Sequence, residues 1–339
     1  MSDANDGRCV TLEHGSGGAL SRELVETLIY PRFGGEEYPE LSDATRFSLS
    51  GPLCLTTDSY TVDPPFFPGS DLGRLAVFGT CNDLAVSGAR PRFLSLGLII
   101  EEGFPFSDLE RILDSLRDAA REAGVAVLTG DTKVVPRGKG GGLYINTSGI
   151  GEADARARLS AKAIRPGDAV IVSGPVGAHG IAVLAARERL SVGGGIRSDC
   201  AFLYPLCRPL LELGGELRFM RDATRGGLAA VLGEAALDSG LGLEVSESGV
   251  PVDDDVRTVA EILGLHPLEI ANEGVFAAIV SRNVADRALA SLRAVPLGAR
   301  ASIVGSVVEA HPGVVALETA IGGRRVLGLP RGLLLPRIC

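Results

Sequence analysis

The sequence contains no tryptophan, and aromatic residues make up only 5% of its 339 positions. The apolar core must therefore come from alanine, valine, leucine and isoleucine, the usual filling of α/β proteins with buried strands. An excess of positive charge is also absent, because the formal net charge is −9. This acidity argues against nucleic acid or an anionic membrane as the main partner. It is compatible with a nucleotide, since Mg²⁺ held by carboxylates can bring phosphates to an acidic site.

Signals for export, membrane insertion and cysteine-based metal binding are missing as well. Residues 1–7 are polar and acidic, without the apolar core of a signal peptide. No apolar run approaches membrane-spanning length. The six cysteines are scattered, and no pair has Cys-x-x-Cys spacing. We therefore expect a soluble, cytoplasmic protein with reduced thiols.

Strand and helix signals alternate over most of the chain, which predicts a two-domain α/β (α+β) fold. We place a glycine-rich segment and loop at 1–50, an N-terminal domain at 51–155, a C-terminal domain at 156–318 and an extended tail at 319–339. The predicted strands are 53–58, 92–100, 125–128, 143–150, 169–172, 241–246, 275–280, 302–308 and 314–318. The predicted helices lie near 20–30 and at 71–87, 107–122, 174–187, 200–213, 226–239, 253–264 and 284–293.

Acidic residues recur where α/β proteins gather ligands, at strand ends and in tight loops. Four stand out: Asp58, Asp83, Asp131 and Asp222. Carboxylates brought together from several loops suit Mg²⁺ on a polyphosphate, which needs few protein ligands. Each of them alone is better explained as a helix cap or turn residue. The set of four favours a metal site.

Three glycine clusters could offer backbone N–H groups to phosphate. The first is Gly15-Ser16-Gly17-Gly18, the second spans 173–180, and the third is Gly226-Gly227 after Thr224. None of them matches the P-loop or the dinucleotide fingerprint, and each taken singly is more often a turn.

Asn272-Glu273-Gly274 lies between a predicted helix and an apolar strand. A carboxylate at this position could act as a general base, and a solvated residue at a helix end is about equally consistent with the motif. His14 and His179 lie in glycine-rich loops and are weak candidates for a catalytic role.

Cys339 is the last residue of a segment that contains two prolines and shows no helix or strand period. A thiol at the end of an extended arm is accessible, and exposed cysteines are usually avoided because they oxidise. Such an arm could carry a group into a distant site, since twenty extended residues span on the order of 60 Å. We therefore predict that Cys339 is a working thiol.

Together these motifs resemble the HypE family of hydrogenase maturation factors, in the superfamily of aminoimidazole ribonucleotide synthetase (the PurM-like fold). The resemblance covers nearly the whole chain. Its superfamily motifs are Thr57-Asp58-Ser59, Asn82-Asp83-Leu84, Gly130-Asp131-Thr132-Lys133, 222–227 and Asn272-Glu273-Gly274. The ending Pro336-Arg337-Ile338-Cys339 is specific to HypE.

The resemblance implies ATP and Mg²⁺ as cofactors and a homodimer paired through the N-terminal domains. It implies that a HypF-type carbamoyltransferase loads Cys339, that ATP-dependent dehydration yields a thiocyanate, and that a HypC–HypD complex accepts the cyanide for [NiFe] hydrogenase. Cys339, Lys133 and Glu273 would be catalytic. The implied metal ligands are Asp58, Asp83, Asp131 and Asp222. The same four join the implied nucleotide contacts, which also include Gly15, Ser16, Gly17, Gly18, Asn82, Thr132, Thr224, Gly226 and Gly227.

Two other functions fit part of the pattern. A sister enzyme, such as a selenophosphate synthetase or a thiamine monophosphate kinase, would bind ATP without needing Cys339. A non-enzymatic scaffold would use the tail only to dock on a partner, and its assembly would be independent of ATP and of the thiol.

Overall fold

The computed structural model describes residues 8–34, 44–189 and 195–329. The N-terminal elements are α1 (Ala19–Leu24), α2 (Tyr30–Phe33), β1 (Leu53–Tyr60), β2 (Phe66–Phe67), β3 (Ser70–Asp71), α3 (Leu72–Val86), β4 (Ala89–Glu101), α4 (Phe106–Ala123), β5 (Ala126–Val135) and β6 (Leu143–Ala153). The C-terminal strands are β7 (Ala169–Val172), β8 (Leu217–Asp222), β9 (Gly242–Ser246), β10 (Phe276–Val280), β11 (Ser302–Val308), β12 (Val315–Glu318) and β13 (Arg324–Leu327). The C-terminal helices are α5 (Ala178–Arg187), α6 (Tyr204–Leu211), α7 (Gly227–Ser239), α8 (Asp254–Ile262) and α9 (Ala285–Arg293).

The N-terminal domain is a four-stranded sheet in the order β1-β6-β4-β5, with β4 and β5 parallel. Helices α3 and α4 supply its core from one side of the sheet. The Asp71 side chain caps α3 by accepting a hydrogen bond from the Arg74 N–H at 3.0 Å. Helix α4 ends at Gly124, whose φ of +66° suits the left-handed conformation of a helix end. Both helices and their caps confirm the sequence prediction.

The C-terminal domain is a seven-stranded sheet in the order β13-β12-β9-β11-β7-β10-β8. Strands β7 and β10 are buried along their whole length, as their continuous apolar sequences require. One face packs against α5, α7 and α8, and the other packs against α6 and α9. No helix in the described ranges is long and apolar enough to cross a membrane.

Two predicted strands are longer in the structure, which changes the setting of two site residues. The strand expected at 125–128 continues to Val135, because β4 remains its parallel partner throughout. Asp131 therefore lies within an edge strand and not in a loop that follows one. Asp58 likewise lies inside β1, which continues to Tyr60.

The prediction of an irregular tail from 319 onwards is wrong for its first part. Arg324–Leu327 forms β13 and pairs antiparallel with β12. Gly322 adopts a φ of +83°, and Thr319 N–H donates to the Gly323 carbonyl at 2.7 Å, so this glycine pair makes a hairpin turn. Cys339 and the residues from 330 onwards lie outside the described residues.

Candidate active site

Asp58, Asp83 and Asp222 come together between the two domains. Strand alternation places Asp58 on the same face of β1 as Thr56, the face that meets α3. The Thr56 hydroxyl donates to Asp83 Oδ2 on α3 at 3.0 Å. Asp222 at the end of β8 is near enough to Asp83 and Asp58 for both charges to act on it.

The electrostatics of this cluster are those of crowded carboxylates. Burial raises the pKa of Asp222 to about 7, and Asp83 and Asp58 add to the rise. Burial also raises the pKa of Asp83, while the Thr56 hydrogen bond and Arg225 act in the opposite direction. Concentrated negative charge of this kind is stabilised by a cation.

The chemistry of these donors fits Mg²⁺ bound together with a polyphosphate. In the described ranges, no three His, Cys, Asp or Glu side chains form a group that could hold a metal ion by themselves. Mg²⁺ commonly takes only one or two carboxylates and completes its shell with phosphate oxygens and water.

A cleft of about 780 Å³ opens beside this cluster, and we call it the carboxylate cleft. Its lining includes Thr56, Asp83, Asp222, Thr224, Arg225 and Glu234. Gly226 and Gly227 start α7 at its border with φ of +76° and +60°. A methyl group on Gly227 would lie 2.6 Å from the Leu268 and Ile270 carbonyl oxygens, so tight packing alone requires glycine there.

Glu273 lies behind the carboxylate cleft and is 8% exposed. Burial raises its pKa well above the ordinary value, and the charges of Asp222 and Asp199 add to the effect. Its neighbour Asn272 is fully buried, and the Asn272 side chain connects this segment to two other parts of the chain by hydrogen bonds. Asn272 Oδ1 accepts from the Gly177 N–H, and Nδ2 donates to the Ala223 carbonyl, both at 2.7 Å.

Asn82, grouped in the sequence analysis with the nucleotide contacts, is 1% exposed in the structure. Its Nδ2 donates to the carbonyls of Ala201 at 2.9 Å and Glu273 at 3.3 Å. Its Oδ1 accepts from the Leu203 N–H at 2.8 Å. The Asn82 side chain therefore fastens the N-terminal domain to the segment that carries Glu273.

The other predicted nucleotide contacts line a second cleft of about 890 Å³, which we call the β5 cleft. Its lining includes Gly15, Ser16, Gly17, Asp131, Thr132 and Lys133. Gly15 lies directly on β5, where a methyl group would come within 2.4 Å of the Val134 nitrogen. Gly18 begins the short helix α1 and does not line the cleft.

The residues that were predicted to form one site therefore lie in two separate clefts within one chain. Strands β1 and β5 are the two edges of the four-stranded sheet. Three strand spacings, roughly 14 Å, separate Asp58 on β1 from Asp131 on β5. Asp131 consequently does not join Asp58, Asp83 and Asp222.

The two histidines retained as weak candidates have structural partners. His179 is fully buried, and its Nδ1 contacts Ser198 Oγ at 2.8 Å. Burial lowers its pKa to about 3, so it is neutral at physiological pH. His14 Nδ1 accepts from the Thr11 N–H at 3.0 Å and closes a short helical turn.

Asp199 is the residue of this region that sequence reasoning missed. Its carboxylate accepts hydrogen bonds from the backbone of Glu273 and Gly274. It belongs to no motif, and its only signal is an isolated acidic residue in an irregular stretch.

Comparison with known proteins agrees with the division into two domains. The family model of the AIR synthase related protein N-terminal domain matches residues 42–153, and that of the C-terminal domain matches 165–318. A curated relative, the carbamoyl dehydratase HypE of Rhizobium leguminosarum bv. viciae, is 46% identical over 339 residues, which cover 99% of this chain and 97% of that protein.

Solved structures give the same result. A crystal structure of the hydrogenase maturation protein HypE in complex with ATP is 46% identical, with a TM-score of 0.93 over 97% of this chain and 99% of that one. A crystal structure of a HypE–HypF complex is 42% identical, with a TM-score of 0.80 over 92% of this chain and 100% of that one. The resemblance seen in the motifs is thus confirmed, and the chain belongs to the HypE family of carbamoyl dehydratases, which has the fold of AIR synthase related proteins.

Proposed function

We propose that this chain is an ATP-dependent carbamoyl dehydratase whose substrate is a carbamoyl group carried on its own Cys339. The product is an S-cyanate that supplies cyanide to the iron of a [NiFe] hydrogenase. The observation that carries the proposal is the buried carboxyl group of Glu273, which lies within electrostatic range of the three clustered aspartates at the carboxylate cleft.

The overall reaction breaks the carbon–oxygen bond of the carbamoyl group and removes both protons from its nitrogen. Bound Mg-ATP would supply the phosphoryl group that turns the carbamoyl oxygen into a good leaving group, together with a cation that offsets the carboxylate charge. Asp58, Asp83 and Asp222 would hold that cation. Thr224 would contact the phosphates from the cleft wall.

Glu273 would take a proton from the carbamoyl nitrogen. Its raised pKa makes the ionised carboxylate a stronger base than an exposed glutamate. Burial keeps water away from the same position. Water there would otherwise compete with elimination by hydrolysing the thiocarbamate.

The root of the tail supports delivery of Cys339 to this cleft. Leu329, the last described residue, packs on α7, where a methyl group on Gly233 would lie 2.9 Å from Leu329 Cδ2. The next turns of α7, at Ala230 and Glu234, line the carboxylate cleft. Helix α7 rises only about 9 Å between Gly227 and Gly233, whereas a chain as long as 330–339 can span about 33 Å when extended.

A homodimer would pair the outer faces of the N-terminal sheets. That face exposes large apolar side chains, with Leu55 at 75%, Leu53 at 48%, Ile99 at 45% and Tyr144 at 37%. Register places Lys133 beside Ile99 on the same face, so the β5 cleft borders the proposed interface. A nucleotide bound near this interface would then lie close to Lys133, Asp131 and the Gly15–Gly18 loop.

Leu55→Asp tests this pairing, because an interface built on an apolar sheet face does not tolerate a buried unpaired charge. We expect the variant to sediment as a monomer with unchanged circular dichroism. The control Ile262→Asp alters an equally prominent apolar residue, 78% exposed, at the end of α8. A dimeric Leu55→Asp variant would exclude this face as the interface.

The partners follow from the chemistry of the thiol. A HypF-type carbamoyltransferase would load Cys339, which the HypE–HypF complex of a relative supports. A HypC–HypD complex would accept the cyanide.

ATP consumption separates this function from its alternatives. We expect Cys339→Ala to bind ATP normally but to lose the ADP formation that the carbamoyltransferase and carbamoyl phosphate induce in the wild type. Cys9→Ala removes an exposed thiol elsewhere and serves as the control. Full ADP formation by Cys339→Ala would favour a sister enzyme, and no carbamoyl-dependent ADP formation by the wild type would favour a scaffold.

A further inference from the structure

Residues 195–203 form neither helix nor strand, and this segment contacts both domains. On one side, the Ser198 N–H donates to the Pro68 carbonyl of the N-terminal domain at 2.8 Å. On the other side, Ala201 N–H donates to the Glu273 carbonyl at 3.4 Å. Asp199 lies between these two anchoring contacts.

The Asp199 carboxylate is bound to the backbone that carries Glu273. Its oxygens accept from the Glu273 N–H at 3.3 Å, and Oδ2 accepts from the Gly274 N–H at 3.1 Å. The backbone N–H of His179, in the first turn of α5, also favours the ionised carboxylate. These bonds oppose the burial that raises the pKa of Asp199 to about 6.

The fit of this contact is too close for a side chain at position 274. A methyl group on Gly274 would lie 1.9 Å from the Asp199 carbonyl oxygen. From the opposite side, Asn82 Nδ2 donates to the Glu273 carbonyl at 3.3 Å. Asp199 therefore holds both peptide groups that flank the Glu273 side chain, and Asn82 also holds the second of them through its carbonyl.

We propose that Asp199 is the positioning residue of Glu273, fixing the Glu273–Gly274 backbone against α5 and thereby the direction in which the Glu273 carboxyl points. The inference rests on the proposed role of Glu273 in proton removal. Asp199 does not touch the substrate in this account and acts only through Glu273. A second effect supports it, because the Asp199 charge contributes to the raised pKa of Glu273.

Asp199→Asn and Asp199→Ala test the proposal, because the two variants should lose kcat for S-cyanate formation to different degrees. The asparagine keeps one acceptor oxygen for the two N–H groups, and the alanine keeps none. We expect kcat for S-cyanate formation on carbamoylated protein to fall about tenfold in the first variant and further in the second, because small misplacements of a catalytic group are costly. The ATP affinity and the KM for ATP should stay within about twofold of wild type.

A matched control comes from Asp168, another buried carboxylate of this domain at 4% exposure. It accepts from the Arg165 N–H at 2.8 Å and pairs with Arg218 at 3.5 Å, far from Glu273 in the chain. Asp168→Asn should lower the melting temperature without lowering kcat. If it lowers kcat as much as Asp199→Asn does, the effect is general destabilisation and the proposal is overturned.

The double variant Asp199→Asn/Glu273→Gln keeps the test decisive if Asp199→Ala does not fold. A residue that acts through Glu273 should add no loss beyond that of Glu273→Gln alone. Additive losses would overturn the positioning role, as would an unchanged kcat in folded Asp199→Asn. A wild type that forms no S-cyanate would instead overturn the proposed function.

Discussion

Glutamine in place of Glu273 is expected to slow S-cyanate formation by about 10²- to 10⁴-fold, the usual contribution of a general base. The carboxamide has nearly the same shape as the carboxyl group and leaves the backbone bonds to Asp199 and Asn82 in place. It cannot accept a proton from the carbamoyl nitrogen. The affinity for ATP should change by less than about twofold, since Glu273 holds neither the cation nor the phosphates in this account.

Single-turnover kinetics on pre-carbamoylated protein measure this effect directly. The reaction is quenched at intervals, the C-terminal peptide is analysed by mass spectrometry, and ATP binding is measured separately by calorimetry. Glu269→Gln is the matched control, because it makes the same change four residues earlier in a half-buried turn. Wild-type turnover in Glu273→Gln would remove Glu273 from the mechanism.

Asp222→Asn is expected to have two opposite effects, a large loss of Mg-ATP affinity and a gain in the stability of the protein without ligand. The loss follows because one of three clustered carboxylates no longer attracts the cation. We expect at least a tenfold weaker binding of ATP in the presence of Mg²⁺, and a much smaller change in its absence.

The gain in stability follows from the pKa of Asp222, which is about 7 in the folded protein against an ordinary 3.8. The folded state therefore holds this proton more tightly than the unfolded state, and the associated stability, full at low pH, is lost as the pH rises through about 7. That difference corresponds to about 4 kcal/mol, and partial exposure reduces it to roughly 2 kcal/mol. Because the asparagine side chain does not ionise, the variant does not lose this stability as the pH rises.

Thermal unfolding at pH 8 with chelator tests the second effect. We expect the melting temperature of Asp222→Asn to exceed that of the wild type by roughly 4–8 °C. At pH 5 the difference should shrink to roughly a third of that, and it should vanish only below about pH 3.8, where the carboxyl is protonated in the unfolded protein as well. Asp286→Asn, an exposed change in the first turn of α9, is the control. A variant that is less stable at pH 8 and binds Mg-ATP normally would contradict the account of the cluster.

Much of the fold could be predicted because its signals are local. The apolar spacing of α4, the Asp71 cap of α3 and the buried runs of β7 and β10 are all contained in short stretches of sequence. The order of the seven-stranded sheet depends on contacts between distant segments, and no local pattern encodes it. The hairpin that ends in β13 was missed because its glycine turn resembled the start of an irregular tail.

The candidate site, like the fold, could be predicted only in part. The sequence motifs identified four candidate residues, Asp58, Asp83, Asp222 and Glu273. The structure places these four within electrostatic range of one another. The division into two clefts depends on the order of strands across the sheet, which separates β1 from β5. Asn82 and Asp199 act on backbone groups of remote segments, and such partners cannot be read from residue type alone.

The identity of the group on Cys339 is the most direct test of the whole account. The protein is incubated with a HypF-type carbamoyltransferase, carbamoyl phosphate and Mg-ATP, and the C-terminal peptide is then measured by mass spectrometry. We predict that Cys339 carries a carbamoyl adduct if the loaded protein receives no ATP for dehydration. If the loaded protein is supplied with ATP, the adduct should be converted to an S-cyano cysteine. A Cys339 that carries neither group, or a carbamoyl adduct that persists in the presence of ATP, would contradict it.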